Sequence, residues 1–428
     1  MRRRSARGFV GRALCFALGC AMLPALAAAQ PEAAASGAHA DGGRDASPVR
    51  DLQFIPIPEI DTAPDSGVTL GLIPVVLSNN DRGEIDRILA PDVIHSRYFG
   101  WGASWRSFRY PSADRKWSFV ASVKERVESG VDAEYDAGLL RASDWSWSAH
   151  ALYDRSGTGR FYGLGNHSRL DGETTFIDRQ FGLELTAARN FTHELQLAWI
   201  GHAVDAEVGG RALDFLPAID SVYPAQPGVG HVRELQQRVV LTWDTRDSDV
   251  VPHRGERWAA FAGFSPAGIG SGNGYSFVGL ELTTLRPIGS NATLVGHAAF
   301  RYMPSYSKAP FWDLSNLGGD RSVTGGAQPL RAFGDGRFVD RNSFEASAEA
   351  RFAVDTFHLF GTELTLELAP FVDSGRVFAT MTADPFTHLH VAGGMGFRLV
   401  ASPFVVGYVD VGFGGEKAAV FSGIDYPF

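Results

Sequence analysis

The chain has 428 residues, of which 12% are aromatic and 20% charged, with 49 glycines and a formal charge of −9. This acidic balance excludes the basic footprint that nucleic-acid binding needs. The two cysteines, Cys15 and Cys20, both lie near the start, so the rest of the chain can build neither a disulfide framework nor a cysteine-based metal site.

Arg2, Arg3, Arg4, Arg7 and Arg12 precede an apolar run from Ala13 to Leu26, and Ala27-Ala28-Ala29 offers small residues for cleavage before Gln30. The run is too short to span a bilayer, and residues 1–29 read as a secretory signal peptide. Losing those five arginines takes the formal charge from −9 to −14. Residues 30–66 read as a short periplasmic lead-in. Its first part, rich in Pro, Ala, Gly and Asp, cannot bury apolar surface, and "DLQFIPIPEIDTAPDS" is extended.

From about Gly67 to Phe428 the pattern changes to alternation. In "RKWSFVASVKER", Trp117, Phe119, Ala121 and Val123 share one face, with Lys116, Ser118, Ser122 and Lys124 opposite. In "DWSWSAHALY", Trp145, Trp147, Ala149, Ala151 and Tyr153 oppose Ser146, Ser148 and His150. In "NSFEASAEARFAV", Phe344, Ala346, Ala348, Ala350, Phe352 and Val354 oppose Ser343, Glu345, Ser347, Glu349 and Arg351. Period two means strand. Full charges such as Glu363 and Glu367 on the polar faces point to a watery interior and a lipid-facing exterior. The fold class is therefore all-β, a transmembrane antiparallel barrel of about 16 strands. Short connections such as "PIGSN" and "ASP" alternate with long ones near 155–173, 205–230, 265–273, 303–341 and 375–386. Short turns face the periplasm and long loops the outside. The last residues, "GIDYPF", put Ile424, Tyr426 and Phe428 on one face of a final strand, the pattern by which such barrels are addressed to their assembly machinery.

Four stretches carry a resemblance. They are "FYGLGN" (Phe161 to Asn166), "LTWDTRDSDVVPHRGERW" (Leu241 to Trp258), "LRAF" (Leu330 to Phe333) with the following "GRFVDRNSFEASAEARF", and "APFVDSGRVF". In that order they resemble the BamA/TamA-type surface-antigen family of outer-membrane assembly proteins, from about residue 51 onward. The resemblance implies a sixth extracellular loop folded into the lumen, with Arg331 and Phe333 at its tip. It makes Phe371, Asp373 and Gly375 the wall motif that receives Arg331, and Glu349 a second acidic partner. Parity agrees: with Leu364, Leu366, Leu368 and Val372 toward lipid, Glu367, Phe371 and Asp373 point inward. Ala332 departs from the glycine usual in the family, and a positive φ there would strain an alanine.

The family implies work in outer-membrane biogenesis, inserting or translocating protein or lipid across the outer membrane of a Gram-negative cell. Relatives that recruit clients carry periplasmic POTRA domains of about seventy-five residues each. Residues 30–66 leave no room for one, so a barrel-only member is expected. Its expected partners are outer-membrane lipids (lipopolysaccharide and phospholipid), the assembly machinery that inserts it, and a separate periplasmic protein. A monomer without cofactor or metal is expected. His388 and His390 lack a third ligand, "GIGSGNG" opens no helix, and no nucleophile motif marks an enzyme. Two other readings stay open on the residues: a passive diffusion pore, and a soluble secreted β-sandwich that binds glycans.

Overall fold

The computed structural model describes residues 52–428 apart from 62–66, 81–84, 113, 269–271, 273, 307, 360–361, 383 and 402–404. The expected signal peptide, residues 1–29, lies outside the described residues.

Strand β1 (Leu52–Asp61) pairs antiparallel with β2 (Thr69–Asn79), from Leu52 opposite Ser78 to Asp61 opposite Thr69. Two short strands, β3 (Ile85–Leu89) and β4 (Asp92–Ser96), share the place between β2 and β5 (Gly100–Ser112). Then come β6 (Arg115–Lys124), β7 (Ser129–Ala137) and β8 (Trp145–Ser156). A small ribbon of β9 (Arg160–Phe161) and β10 (Thr174–Thr175) sits in the next loop. The wall resumes with β11 (Ile177–Asn190), β12 (Leu195–Gly209), β13 (Gly230–Asp244), β14 (Gly255–Ser265), β15 (Tyr275–Ile288) and β16 (Ala292–Ser305). A second ribbon, β17 (Ser315–Leu317) with β18 (Phe338–Asp340), belongs to loop 306–341. The wall ends with β19 (Asn342–Leu359), β20 (Thr362–Phe378), β21 (His390–Ala401), β22 (Val405–Phe413) and β23 (Ala419–Ile424).

Among the described residues the main sheet holds nineteen strands in antiparallel ladders that follow chain order, with β3 and β4 sharing one place, where about sixteen were expected. One addition is β1, which lies ahead of Gly67 in residues expected to be a lead-in. Short connections such as 191–194 and 289–291 gather at one end, and long ones such as 157–176, 210–229 and 306–341 at the other. By the general rule for such barrels, the short end is periplasmic.

Burial runs opposite to that of a soluble sandwich. Trp117 and Phe119 of β6 are 54% and 44% exposed, while Lys116 and Ser118 are buried. In β11, Phe181, Leu183 and Leu185 are exposed, and Asp178, Gln180, Glu184 and Thr186 are buried. Lys116 Nζ lies 2.9 Å from Glu134 and 2.8 Å from Asp136, an ion pair facing the interior. A glycan-binding β-sandwich would hide those tryptophans between two sheets, so that reading fails.

The long-loop end closes over its own apolar core. Phe161, Phe176, Ile219, Phe311, Leu314 and Val339 bury one another there.

Candidate functional site

Loop 306–341 turns into the lumen and is pinned to itself by backbone bonds. The Leu330 N–H donates to the Gly319 carbonyl at 3.0 Å, and the Gly319 N–H donates to Phe333 at 2.9 Å. The loop then presents two faces. Leu330, Ala332, Phe333 and Phe338 pack with Leu317, with Val377 of β20 and with Ala392 of β21. Arg331, between Leu330 and Ala332, points the other way.

Arg331 is fully buried. Its backbone N–H donates to Asp373 at 2.9 Å, and its Nε and Nη2 grip the two oxygens of the same carboxylate at 3.0 and 2.8 Å. Nη1 reaches Glu349 at 2.5 Å and Asp410 at 3.3 Å. The guanidinium lies over the Phe371 ring, 3.7 Å from its centroid. A planar fork suits this work because it holds one carboxylate bidentately and still faces two more. Burial pulls the Arg331 pKa down, but Asp373 and Glu349 more than offset it, so the group stays charged.

The sequence-predicted residues therefore come together: Arg331, Glu349, Phe371 and Asp373 meet in one cluster. Phe333 lies on the apolar face, against Phe338 at 5.2 Å between ring centroids, and does not join the acids. Gly375 is needed for space. A Cβ there would lie 2.9 Å from the Phe344 carbonyl and 3.0 Å from Leu317 of the loop. Ala332 has no positive φ, so the expected strain at that departure from the family pattern is absent.

Three members were not read from the sequence. Arg398 pairs with Asp410 and sits 3.2 Å from Glu349, and Arg351 Nε donates to Glu349 at 2.8 Å. Three guanidiniums thus face Glu349, Asp373 and Asp410, and the burial of these six charges is balanced in sign. The signal was present: Arg398 in "GFRLV" and Asp410 in "GYVDVGF" are lone charges amid apolar residues. Glycines make room for the loop. At Gly412 a Cβ would fall 1.6 Å from the Arg331 carbonyl oxygen, and at Gly414 it would be 2.7 Å from the Ala332 Cβ.

The "FYGLGN" stretch also grips the loop. The Gly165 N–H donates to Val339 at 2.8 Å, and Asn166 Oδ1 accepts from the Val377 N–H at 3.1 Å. Arg337 donates to Glu416 at 2.9 Å and to Ser168 Oγ at the same distance. His390 stacks on Phe338 at 3.7 Å and bonds the Asn166 carbonyl at 2.8 Å. Among the described residues no cluster of three or more potential metal ligands occurs.

Tyr426 and Phe428 are a correction. Strand β23 ends at Ile424, whose side chain lies outside the described residues, and Asp425 takes a φ of 74°. That turn carries the chain inward and ends the alternation. The Tyr426 hydroxyl donates to Glu367 at 2.8 Å, and Phe428 stacks on His297 at 4.8 Å. Both aromatic side chains face the lumen and not lipid.

Residues 124–409 match the Omp85 superfamily domain. The chain belongs to the Omp85 superfamily. Among solved structures this Omp85 barrel is similar to BamA from Haemophilus ducreyi lacking POTRA domains 1–3. The two are 13% identical, with a TM-score of 0.54 over 86% of this chain and 74% of that one. CdiB from Escherichia coli is 12% identical, with a TM-score of 0.50 over 90% of this chain and 66% of that one. At these identities the likeness is one of fold. No curated protein matches the sequence. The family resemblance carried by the four motifs is borne out, and the protein is an outer-membrane β-barrel of a family concerned with protein insertion and secretion.

Proposed function

We propose that this Omp85 barrel assists the insertion or translocation of protein or lipid at the outer membrane, working through the seam between its first and last strands. The observation that carries this reading is the seam itself. Neighbouring strands along the wall are joined by ladders, whereas β1 and β23 touch without one among the described residues. The alternation that begins at about Gly67 would make β2 the first wall strand; β1 takes that place. Pro56 and Pro58, two residues apart, remove two N–H donors from one side of β1, as suits an edge strand. Unpaired backbone is costly in hydrocarbon, so such an edge is primed to accept an incoming strand.

In this reading the loop latch centred on Arg331, Asp373, Glu349 and Asp410 holds the wall in shape behind the seam. It binds and positions, and it performs no catalysis. The partners are membrane lipids along the exposed aromatic face and a separate periplasmic protein that delivers clients. The test is reconstitution. Liposomes carrying the barrel should speed folding of a urea-denatured outer-membrane client, and a disulfide engineered between β1 and β23 should abolish the gain. Equal rates with the seam locked and free would refute the reading. A passive pore would instead show conductance indifferent to that lock.

A further inference from the structure

The turn between β13 and β14, residues 245–254, lies at the short-connection end yet carries an apolar tip, Val250-Val251-Pro252. Val251 and Pro252 are buried. Val251 packs with Val400 of β21, Val406 of β22 and Tyr426, and Val250 packs beside them. Strands β15, β16, β19 and β20 stand between β14 and β21 in the wall. A turn rooted on β13 and β14 reaches β21 and β22 only by crossing the mouth of the lumen. It is built to hold that shape. Ser248 Oγ accepts from the Val250 and Val251 N–H groups at 3.2 and 3.0 Å. Asp247 Oδ1 accepts from His253 at 2.9 Å and Arg254 at 3.2 Å. Gly255, at φ 107°, allows the tight return, because a Cβ there would meet the Thr245 carbonyl at 2.4 Å.

Above this strap lies the lumenal loop. The Tyr426 carbonyl accepts from Arg321 at 3.0 Å, and the Pro427 carbonyl accepts from the Ser322 N–H at 3.0 Å. Arg257, just beyond the strap, donates to Thr324 at 3.2 Å. Beside the strap a cavity of about 200 Å³ is lined by Leu139, Arg141, His193 and Asp244 to Asp249. Adjoining it is a partly open chamber of about 80 Å³, lined in part by Leu139, Arg141, Thr186, Ala198 and Thr242. Leu139 and Arg141 border both.

We propose that residues 245–254 form a periplasmic lid, latched by Val250 and Val251 onto Val400, Val406 and Tyr426, which closes the lumen from below independently of the Arg331 cluster. Its release opens the chamber to the periplasm and frees residues 425–428 that follow the seam strand. The inference goes beyond the seam reading, because a lid can gate the lumen whether or not the barrel inserts clients.

The test is thiol accessibility, with Cys15 and Cys20 as the only native cysteines. Val251→Cys should react with a polymer-linked maleimide far more slowly than Arg254→Cys on the exposed flank. Ala198→Cys, inside the chamber, should also be slow. Adding Val250→Gly and Val251→Gly should speed Ala198→Cys by roughly tenfold, or ~1.4 kcal/mol of closed-state preference. Retained heat-modifiable mobility verifies the barrel in each variant. Labelling of Val251→Cys at the exposed rate overturns the proposal, because the thiol keeps most of the bulk of the valine it replaces and leaves Val250 in place. So does an Ala198→Cys rate unchanged by the double glycine substitution. Client folding in liposomes reads the seam separately.

Discussion

Replacing Arg331 with methionine tests the latch most directly. The substitution keeps the length of the side chain and deletes the guanidinium. Asp373 then loses donors at 3.0 and 2.8 Å and, among the described residues, keeps the backbone N–H at 2.9 Å. Glu349 keeps Arg351 at 2.8 Å and Arg398 at 3.2 Å, and Asp410 keeps Arg398. The loss is thus concentrated on one carboxylate with no exposed side-chain surface. Removing one partner of a buried pair costs about 3–5 kcal/mol, because the other charge stays buried and uncompensated. Asp373→Leu should cost a similar amount, leaving Arg331 with Glu349 and Asp410 alone. In the double variant neither stranded charge remains, so the losses should be far below additive, with a coupling of about 3 kcal/mol or more that cancels most of the single losses. Urea-unfolding midpoints in detergent micelles, read by tryptophan fluorescence and gel mobility, would measure the cycle. Losses that add to within ~0.5 kcal/mol would mean the two side chains do not share an interaction, and the latch would be wrong.

Three other substitutions probe neighbouring parts. Gly412→Ala, on the wall, should expel the loop or unfold the barrel, since its Cβ would fall 1.6 Å from the Arg331 carbonyl oxygen. Faster proteolysis of loop 306–341 in intact cells would report it. Arg337→Ala removes the contacts to Glu416 and Ser168 and the guanidinium 4.6 Å from the Phe338 ring centroid, and should cost about 1–3 kcal/mol in the same urea assay. Tyr426→Phe deletes only the hydroxyl bonded to Glu367 at 2.8 Å and should cost about 1–3 kcal/mol, leaving the Val250–Val251 contact and Val251→Cys protection intact.

The barrel was legible because lipid and lumen impose opposite demands on alternate residues. "KWSF" alone places Trp117 outside and Lys116 inside. Strand parity also placed Glu349 and Asp373 inward, and the four motifs aligned Arg331 with them. Parity says which face a residue takes and not which residue of another strand it meets, so Arg398 and Asp410 passed unread. Strand β1 was hidden by Pro56 and Pro58, which look foreign to a sheet until the strand proves to be an edge. Residues 425–428 misled for a different reason. Ile424, Tyr426 and Phe428 fit a period of two, but Asp425, a residue type that tolerates φ > 0, breaks the strand between them. The lid was within reach as well, since a turn at a wet rim gains nothing from Val-Val-Pro unless those residues are covered.

Six buried charges are a costly way to hold a loop, and apolar side chains of the same volume would hold it at least as firmly. What they add is register. An apolar contact tolerates a slide along the wall, whereas Arg331 satisfies Asp373, Glu349 and Asp410 together in one position, and Gly412 admits the Arg331 carbonyl at that position alone. The Arg331→Met, Asp373→Leu variant separates the two roles. Its urea midpoint should approach that of the native barrel, because no charge is stranded. Its loop should nevertheless settle in more than one register, seen as broadened resonances for the Gly412 and Gly414 amides in a labelled sample. Sharp single resonances in that variant would show that packing by Leu330, Phe333 and Phe338 sets the register, and that the charges serve another purpose.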